Sequence, residues 1–211
     1  MKLEEFRLPP TRLLVGVGAG LVLVALLTAG FYLWSTARER RMDQAWAAVS
    51  GRVQPAMGPS ADASARSAAI AAVEAFLAEH PSAHNAGEAA YMLGNLRFAA
   101  GEFGRARAAW EIAASRTSSP TVRTLARLGV ARSWEAERDM PKAIEAYQGL
   151  LGTIDAKHFL YEDVLFHLAR VQELAGKNTE AAQTYQRILD VPAARHLEEA
   201  KIRLASLASS R

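Results

Sequence analysis

The sequence predicts an all-α protein in which a single N-terminal transmembrane helix is followed by an α-solenoid of paired helices. The first observation is a run of 22 residues without a charged side chain, from Leu13 to Trp34. The second is a spacing of large, small and aromatic residues that occurs three times after residue 90. The third is that no segment alternates apolar and polar residues in the way that indicates a half-buried strand.

The uncharged run is long enough to cross a bilayer as a helix, because at 1.5 Å per residue it spans about 33 Å. Phe31, Tyr32 and Trp34 are aromatic residues of the kind that favour the membrane interface, and arginines flank the run on both sides. A cleaved signal peptide is the alternative, but its apolar core is shorter, about 7–15 residues. We therefore expect a short tail at 1–12 and a retained transmembrane helix at 13–34.

Two features of the transmembrane run leave alternatives open. Gly16 and Gly20 are spaced like a packing face between two membrane helices, although glycines are common in membrane helices in general. No strand–turn–helix context supports a dinucleotide loop at Gly16, Gly18 and Gly20.

Basic residues are nearly balanced on the two sides of the transmembrane run, so its orientation depends on the tendency of long domains to be translocated regardless of charge. This favours a repeat domain outside the cytoplasm.

Residues 35–62 are predicted to form a juxtamembrane helix and a loop. Ala45, Trp46 and Val49 give residues 35–50 an apolar face that can pack as the first helix of a degenerate repeat. Residues 51–62 contain two glycines and two prolines, which indicate a loop. We expect the repeat domain to occupy residues 63–211, beginning with a helix that contains Ala69, Val73 and Phe76.

The repeated spacing places a large residue beside a small one, a second small residue 12 positions later, and an aromatic residue four positions after that. The three sets are Leu93-Gly94, Gly101, Phe103, Ala106, Trp110 and Ala113; Val130-Ala131, Met140, Ala143, Tyr147 and Leu150; and Leu168-Ala169, Gly176, Ala181, Tyr185 and Ile188. Small residues let two helices approach closely, and an aromatic residue one turn away on the same face fills the space between units. The spacing therefore predicts helix pairs with a period of 37 to 38 residues, measured from Ala106 to Ala143 and Ala181.

This pattern resembles the tetratricopeptide repeat, with units near 87–120, 124–157 and 162–195. In the middle unit, Arg138 stands where the family usually has a glycine in the turn between the helices. Pro141 suits the first turn of the helix that follows. Residues 196–208 carry apolar positions expected of a closing helix, which covers the last apolar face of a repeat array.

Charge and composition argue against several functions. The net charge of +3 lies entirely in residues 1–66, and residues 67–211 carry 17 basic and 17 acidic side chains. A nucleic-acid partner is therefore not expected, since it requires a basic face. There is no cysteine, and the five histidines form no His-Glu-x-x-His arrangement. Serine-nucleophile and phosphate-loop spacings are also missing. We expect no enzyme activity, no catalytic residue, no cofactor and no metal.

The first helix of each unit lines the inner curve in repeats of this kind, and this defines a candidate partner-binding groove. The groove positions are Tyr91, Asn95 and Phe98; Leu128, Arg132 and Glu135; and Phe166, Arg170 and Glu173. Aromatic anchors and arginines suit a peptide or a partner helix. Tyr91, Leu128 and Phe166 are equally compatible with a place in the core. Of the residues that clamp acidic chaperone tails in some family members, only Asn95 matches, so that ligand is not expected.

The layout of a short tail, one span, a basic stretch and about four repeats resembles the YfgM-type ancillary subunits of the bacterial Sec translocon. The resemblance implies a single-pass inner-membrane protein with periplasmic repeats. It implies as partners translocon subunits, membrane-anchored chaperones or unfolded chains, and contact with the lipid bilayer through residues 13–34. It assigns no functional residue.

Two other functions fit the same layout. One is a scaffold for envelope assembly or cell division that has no link to the translocon. The other is a cytoplasm-facing adaptor that recruits soluble proteins to the membrane.

Overall fold

A computed structural model describes residues 11–58 and 61–209, with side chains from residue 20 onward. The described residues form helices and no strand, which confirms the predicted all-α class. The helices are α1 (Thr11–Ala56), α2 (Ala63–Glu79), α3 (Ala86–Ala99), α4 (Phe103–Arg116), α5 (Pro120–Ala136), α6 (Met140–Leu151), α7 (Tyr161–Leu174), α8 (Asn178–Leu189) and α9 (Leu197–Ser209). Of the predicted tail at 1–12, residues 1–10 lie outside the described residues.

The chain divides into two compact units, and the boundary falls between Ala45 and Trp46. The described part of α1 is long and apolar enough to cross a membrane. Its apolar side chains from Leu21 to Trp34 are exposed. The Arg38 guanidinium lies 5.7 Å from the centre of the Trp34 ring, a cation–π contact at the end of the aromatic stretch.

The expectation of a loop is wrong over residues 51–56, because α1 continues to Ala56; among residues 57–62, those that the structure describes lie outside the helices. Val53 and Ala56 are buried, and the rings of Trp46 and Phe76 lie 5.2 Å apart. This packing stabilises the helix through Gly51, while Pro55 lies in the last turn of the helix. The second unit therefore begins with a helical segment, 46–56, which overlaps the 35–50 predicted for the first helix of the degenerate repeat only over residues 46–50.

The remaining helices pack in sequence, each against the next from α2 to α9, and α3 also contacts α5. The predicted pairs are α3 with α4, α5 with α6, and α7 with α8. Ala106, Ala143 and Ala181 are fully buried, as the close approach of paired helices requires. At the end of the array, α9 buries Ala200 and Leu207 against α7 and α8, as expected of a closing helix.

Trp110 fills the space between the first two units. A Cβ atom built on Gly94 would lie 2.5 Å from Trp110 Cδ1, and one built on Gly129 would lie 2.5 Å from Trp110 Cδ2. The ring is thus held between two glycines, one on α3 and one on α5. The sequence pattern identified Gly94, whereas the role of Gly129 becomes visible only when the units are packed.

The turn inside each pair uses a residue in the left-handed region. Gly101 has a φ of 78°, Gly176 has a φ of 72°, and Arg138 has a φ of 61° at the corresponding position. In each turn the following amide donates to a carbonyl five residues earlier, for example Asp139 N to Trp134 O at 3.0 Å. The middle unit therefore keeps the turn although an arginine replaces the glycine.

Candidate protein-binding groove

The first helices of the three units are α3, α5 and α7, and they carry the nine predicted groove residues. In α3, Tyr91, Asn95 and Phe98 follow one another at helical spacing and share one face. Asn95 Oδ1 accepts a hydrogen bond from Trp110 Nε1 at 3.1 Å. The Phe98 ring lies 5.6 Å from the Trp110 ring and 5.2 Å from the Phe103 ring. This end of the groove is therefore built directly on the aromatic contact between α3 and α4.

The carboxylates of the next two units accept hydrogen bonds from the aromatic residue that lies 12 positions later. Tyr147 Oη donates to Glu135 Oε2 at 2.7 Å, and Tyr185 Oη donates to Glu173 Oε2 at 3.1 Å. The pKa values of Tyr147 and Tyr185 are raised above the usual range. Burial is the larger cause, and the adjacent carboxylate is the second. Both phenols therefore stay protonated, as a donor must.

Each of these carboxylates is also paired with an arginine from the next helix that faces it. Arg170 forms an ion pair with Glu135. Arg203 of α9 lies 3.3 Å from Glu173 Oε1. Glu135, Arg170 and Glu173 thus belong to a set of contacts that links α5, α7 and α9, and much of their charge is compensated inside the protein.

Arg132 is exposed, and its charge, like that of Arg170, acts to lower the pKa of Tyr147 and of His167. Its guanidinium carbon lies 5.3 Å from the centre of the Phe98 ring. Within the described residues, it forms no ion pair with a carboxylate. Of the two predicted groove arginines, only Arg170 is therefore ion-paired within the described residues.

The apolar groove candidates are partly covered. Phe166 is only 8% exposed and stacks on the His196 ring at 4.2 Å, so the structure places it in the core. Tyr91 and Leu128 are partly buried and pack against the edges of core clusters. The apolar contact surface of this groove therefore lies mainly at its α3 end.

A cavity of about 580 Å³ lies at this end, inside the second unit. Its walls come from the last turns of α1, from the residue that follows α1, and from α3: Ala47, Ser50, Gly51, Val53, Gln54, Met57, Tyr91, Met92 and Asn95. Sequence reasoning missed this cavity because it treated residues 51–62 as a loop. The apolar residues Val53 and Ala56, three positions apart, are the signal that favours a helix there.

His167 lies between the groove and the core. Its ring stacks on Tyr147 with an interplanar angle of 2°, and its Nδ1 atom is 3.8 Å from Glu135 Oε2. Burial lowers the pKa of His167 more than the Glu135 carboxylate raises it. We therefore expect a neutral imidazole with a packing role at neutral pH.

Glu162, Asp163 and His196 form a cluster with the ligand types that metals use, with their ligand atoms all within 4.8 Å of one another. Glu162 Oε1 accepts from the His196 backbone N–H at 2.9 Å and lies 2.7 Å from His196 Nδ1. Arg195 lies 3.5 Å from Asp163 Oδ1. These contacts join the start of α7 to the segment before α9, and a cationic side chain already occupies the position beside Asp163. The cluster was not predicted, because Glu162 and His196 are 34 residues apart in the sequence.

Helix pairs that stack through small residues, with one aromatic residue in each pair, define a helical-repeat protein. Residues 14–209 match the family described as "Tetratricopeptide repeat-like domain", and the chain belongs to this family. This confirms the tetratricopeptide resemblance. It leaves the narrower YfgM-type resemblance as a proposal.

Solved structures with similar folds include a Podosopora anserina putative kinesin light chain with nearly identical TPR-like repeats. It is 14% identical to this chain, with a TM-score of 0.59, and the match covers 81% of this chain and 87% of that one. A variant of the same protein with one substitution has the same identity and TM-score and is covered over 86% of its length. At this identity the likeness supports the fold alone. No curated protein matches the sequence significantly.

Proposed function

We propose that the chain is a membrane-anchored repeat scaffold that binds other proteins in the bacterial cell envelope, as an ancillary subunit of the translocon and the periplasmic chaperone network. The observation that carries this proposal is the presence, in one chain, of a helix of membrane-spanning length and a tetratricopeptide repeat-like domain. A repeat array exposes a large inner face and commonly serves as a binding surface. We propose that α1 spans the inner membrane through residues 13–34 and that the repeats are periplasmic.

The structure refines which groove residue should be tested. Reversing the charge of Arg170 would place two carboxylates against each other at Glu135 and destabilise the fold. Reversing the charge of Arg132 breaks no ion pair among the described residues. Arg132→Glu therefore separates partner binding from folding.

The experiment is site-specific photocrosslinking in intact cells of the source bacterium, with a photoreactive amino acid at position 132 of the full-length chain. Position 127 is the matched control, because Arg127 is exposed on the same helix but lies beside Ala146 and Gly149 of α6. We expect position 132 to crosslink to translocon subunits or their client chains, and position 127 to do so much less. Crosslinks only to division or outer-membrane assembly proteins would contradict the translocon assignment.

A reporter fused after Arg211 tests the orientation. We expect a reporter that is active only in the periplasm to be active and one that is active only in the cytosol to be silent. The opposite result would support a cytoplasm-facing adaptor and would overturn the periplasmic part of the proposal.

A further inference from the structure

A second cavity, of about 700 Å³, lies in the second unit between α2, the last turn of α3 and the first turn of α4. Its wall includes three arginines, one from each helix, and two carboxylates: Arg66, Arg97, Arg105, Glu74 and Glu102. None of the nine predicted groove residues lines it. This space, here called the Arg66 cavity, is therefore separate from the candidate groove, and its volume is in the range of small-molecule sites.

Two of the three arginines already have acidic partners. Arg97 forms an ion pair with Glu74, and Arg105 Nη1 lies 3.4 Å from Glu102 Oε2. Arg66 is different, because its guanidinium forms no ion pair and donates no hydrogen bond within the described residues. The other four charges cancel, so the wall of the Arg66 cavity carries the net positive charge of one unpaired arginine.

Two N–H donors of these arginines are buried and have no acceptor in the part of the chain that the structure describes. They are the Nε–H groups of Arg66, on α2, and of Arg97, on α3. Leaving a buried donor without an acceptor is unfavourable, and such groups are uncommon in folded proteins. An anion in the Arg66 cavity could accept hydrogen bonds from both helices.

The first turns of α2 and α4 also border the Arg66 cavity. Ala63 and Arg66 line it from α2, and Glu102 and Arg105 line it from α4. Neither helix has a side-chain hydrogen bond from its N-cap residue to the first free amides. The start of a helix carries partial positive charge and free N–H groups, which favour a phosphate. The two helix starts and the unpaired guanidinium therefore favour a ligand of the same sign.

We propose that the Arg66 cavity binds a phosphate group, carried by an anionic lipid headgroup or by a small soluble molecule. The Arg66 guanidinium supplies the charge and several N–H donors, and Arg97 donates through its Nε–H group. Donors on different helices suit a tetrahedral phosphate, whose oxygens point in several directions, better than a planar carboxylate, which a single guanidinium can satisfy. The site does not depend on the proposed scaffold function.

Isothermal titration calorimetry of the full-length protein in a maltoside detergent tests this site with two probes. Inorganic phosphate represents a soluble ligand, and dihexanoyl phosphatidylglycerol represents a headgroup. Dihexanoyl phosphatidylcholine is the control lipid, because its choline group neutralises the phosphate. Sodium chloride at about 0.1 M screens exposed charges. We expect saturable binding of a probe at a single site per chain. Saturation by inorganic phosphate assigns a soluble ligand, and saturation by the glycerol lipid alone assigns a headgroup.

Three variants assign the binding to the Arg66 cavity. Arg66→Gln breaks no ion pair among the described residues and is expected to weaken binding of the probe about tenfold or more, because charge-assisted hydrogen bonds are lost. Glu74→Gln removes a competing negative charge and frees Arg97, so it is expected to strengthen binding. Arg127→Gln, at an exposed position of α5 outside this cavity, is expected to leave the affinity unchanged. Far-ultraviolet circular dichroism confirms that each variant is folded.

Several results would overturn this inference. They are the absence of saturable binding of either phosphate probe, equally tight binding of the choline lipid, an affinity that survives Arg66→Gln, and an equal loss in Arg127→Gln. The last result would mean that any exposed arginine attracts the anion. Crosslinking from position 132 does not involve the Arg66 cavity, so the scaffold function stands or fails independently of these titrations.

Discussion

The position of a Cβ atom on Gly94 is only 2.5 Å from Cδ1 of Trp110. The Trp110 ring cannot yield easily, because it is buried and the Cβ position of Gly129 lies equally close to it, 2.5 Å from Cδ2. The packing of the first two repeat units therefore depends on glycine at positions 94 and 129, which leaves room for the Trp110 ring.

Gly94→Ala is expected to lower the free energy of unfolding by about 1–3 kcal/mol, because the added methyl group overpacks the junction. Gly149→Ala is the matched control: Gly149 is an exposed helical glycine with no atom within 4 Å of its Cβ position. That change is expected to raise the free energy of unfolding by about 0.5–1 kcal/mol through helix propensity. Urea unfolding of the full chain in detergent, followed by circular dichroism, measures both. Equal stabilisation by the two changes would contradict the tight junction.

Arg138→Gly is expected to stabilise the repeat domain by about 0.5–1 kcal/mol, because Arg138 holds a φ of 61° that glycine adopts without strain. The reciprocal change, Gly101→Ala, introduces the same strain at a φ of 78° and is expected to destabilise by about 1 kcal/mol. The same urea titration provides the measurement. A loss of stability in Arg138→Gly would show that the arginine side chain contributes more than its backbone strain costs.

Val53→Ala tests the helical segment 46–56 as part of the second unit. Val53 is 4% exposed, so the loss of two methyl groups is expected to cost about 1–3 kcal/mol in the unfolding of the repeats. Arg52→Ala, at the exposed neighbouring position, is expected to change the stability by less than about 0.5 kcal/mol. Indistinguishable unfolding curves for the two variants would mean that this segment does not stabilise the repeats.

His167 is expected to make the stability depend on pH. Burial lowers its pKa in the folded state below the value of about 6.5 that it has when unfolded. The unfolded chain therefore binds more protons as the pH falls through this window, and the folded state loses stability on the acid side. The difference in unfolding free energy between the natural chain and His167→Gln, measured from pH 8 to pH 5, should decrease as the pH decreases. Parallel curves would contradict a lowered pKa.

The spacing of residue types predicted most of the fold, because the contacts within each repeat are made by residues that are close together in the sequence. The buried alanines Ala106, Ala143 and Ala181, and the place of Trp110 beside Gly94, follow from small and aromatic residues at fixed helical intervals. The prediction failed at 51–56, where the glycines and prolines suggested a loop although Val53 and Ala56 are buried in a helix. Local propensity is a weak indicator when tertiary packing holds the helix.

The sequence alone determined the helical class, the main helix pairs and the apolar helix of membrane-spanning length, since these depend on contacts within a helix or between consecutive helices. Only the tertiary structure decided which charged side chains form ion pairs within the protein. Glu135 and Arg170 lie 35 residues apart and form an ion pair, whereas Arg132 lies over the Phe98 ring and forms no ion pair among the described residues. The physical reason is that two charged side chains compensate each other only when their helices pack together. The distance between side chains on different helices cannot be read from the spacing of residues along one helix.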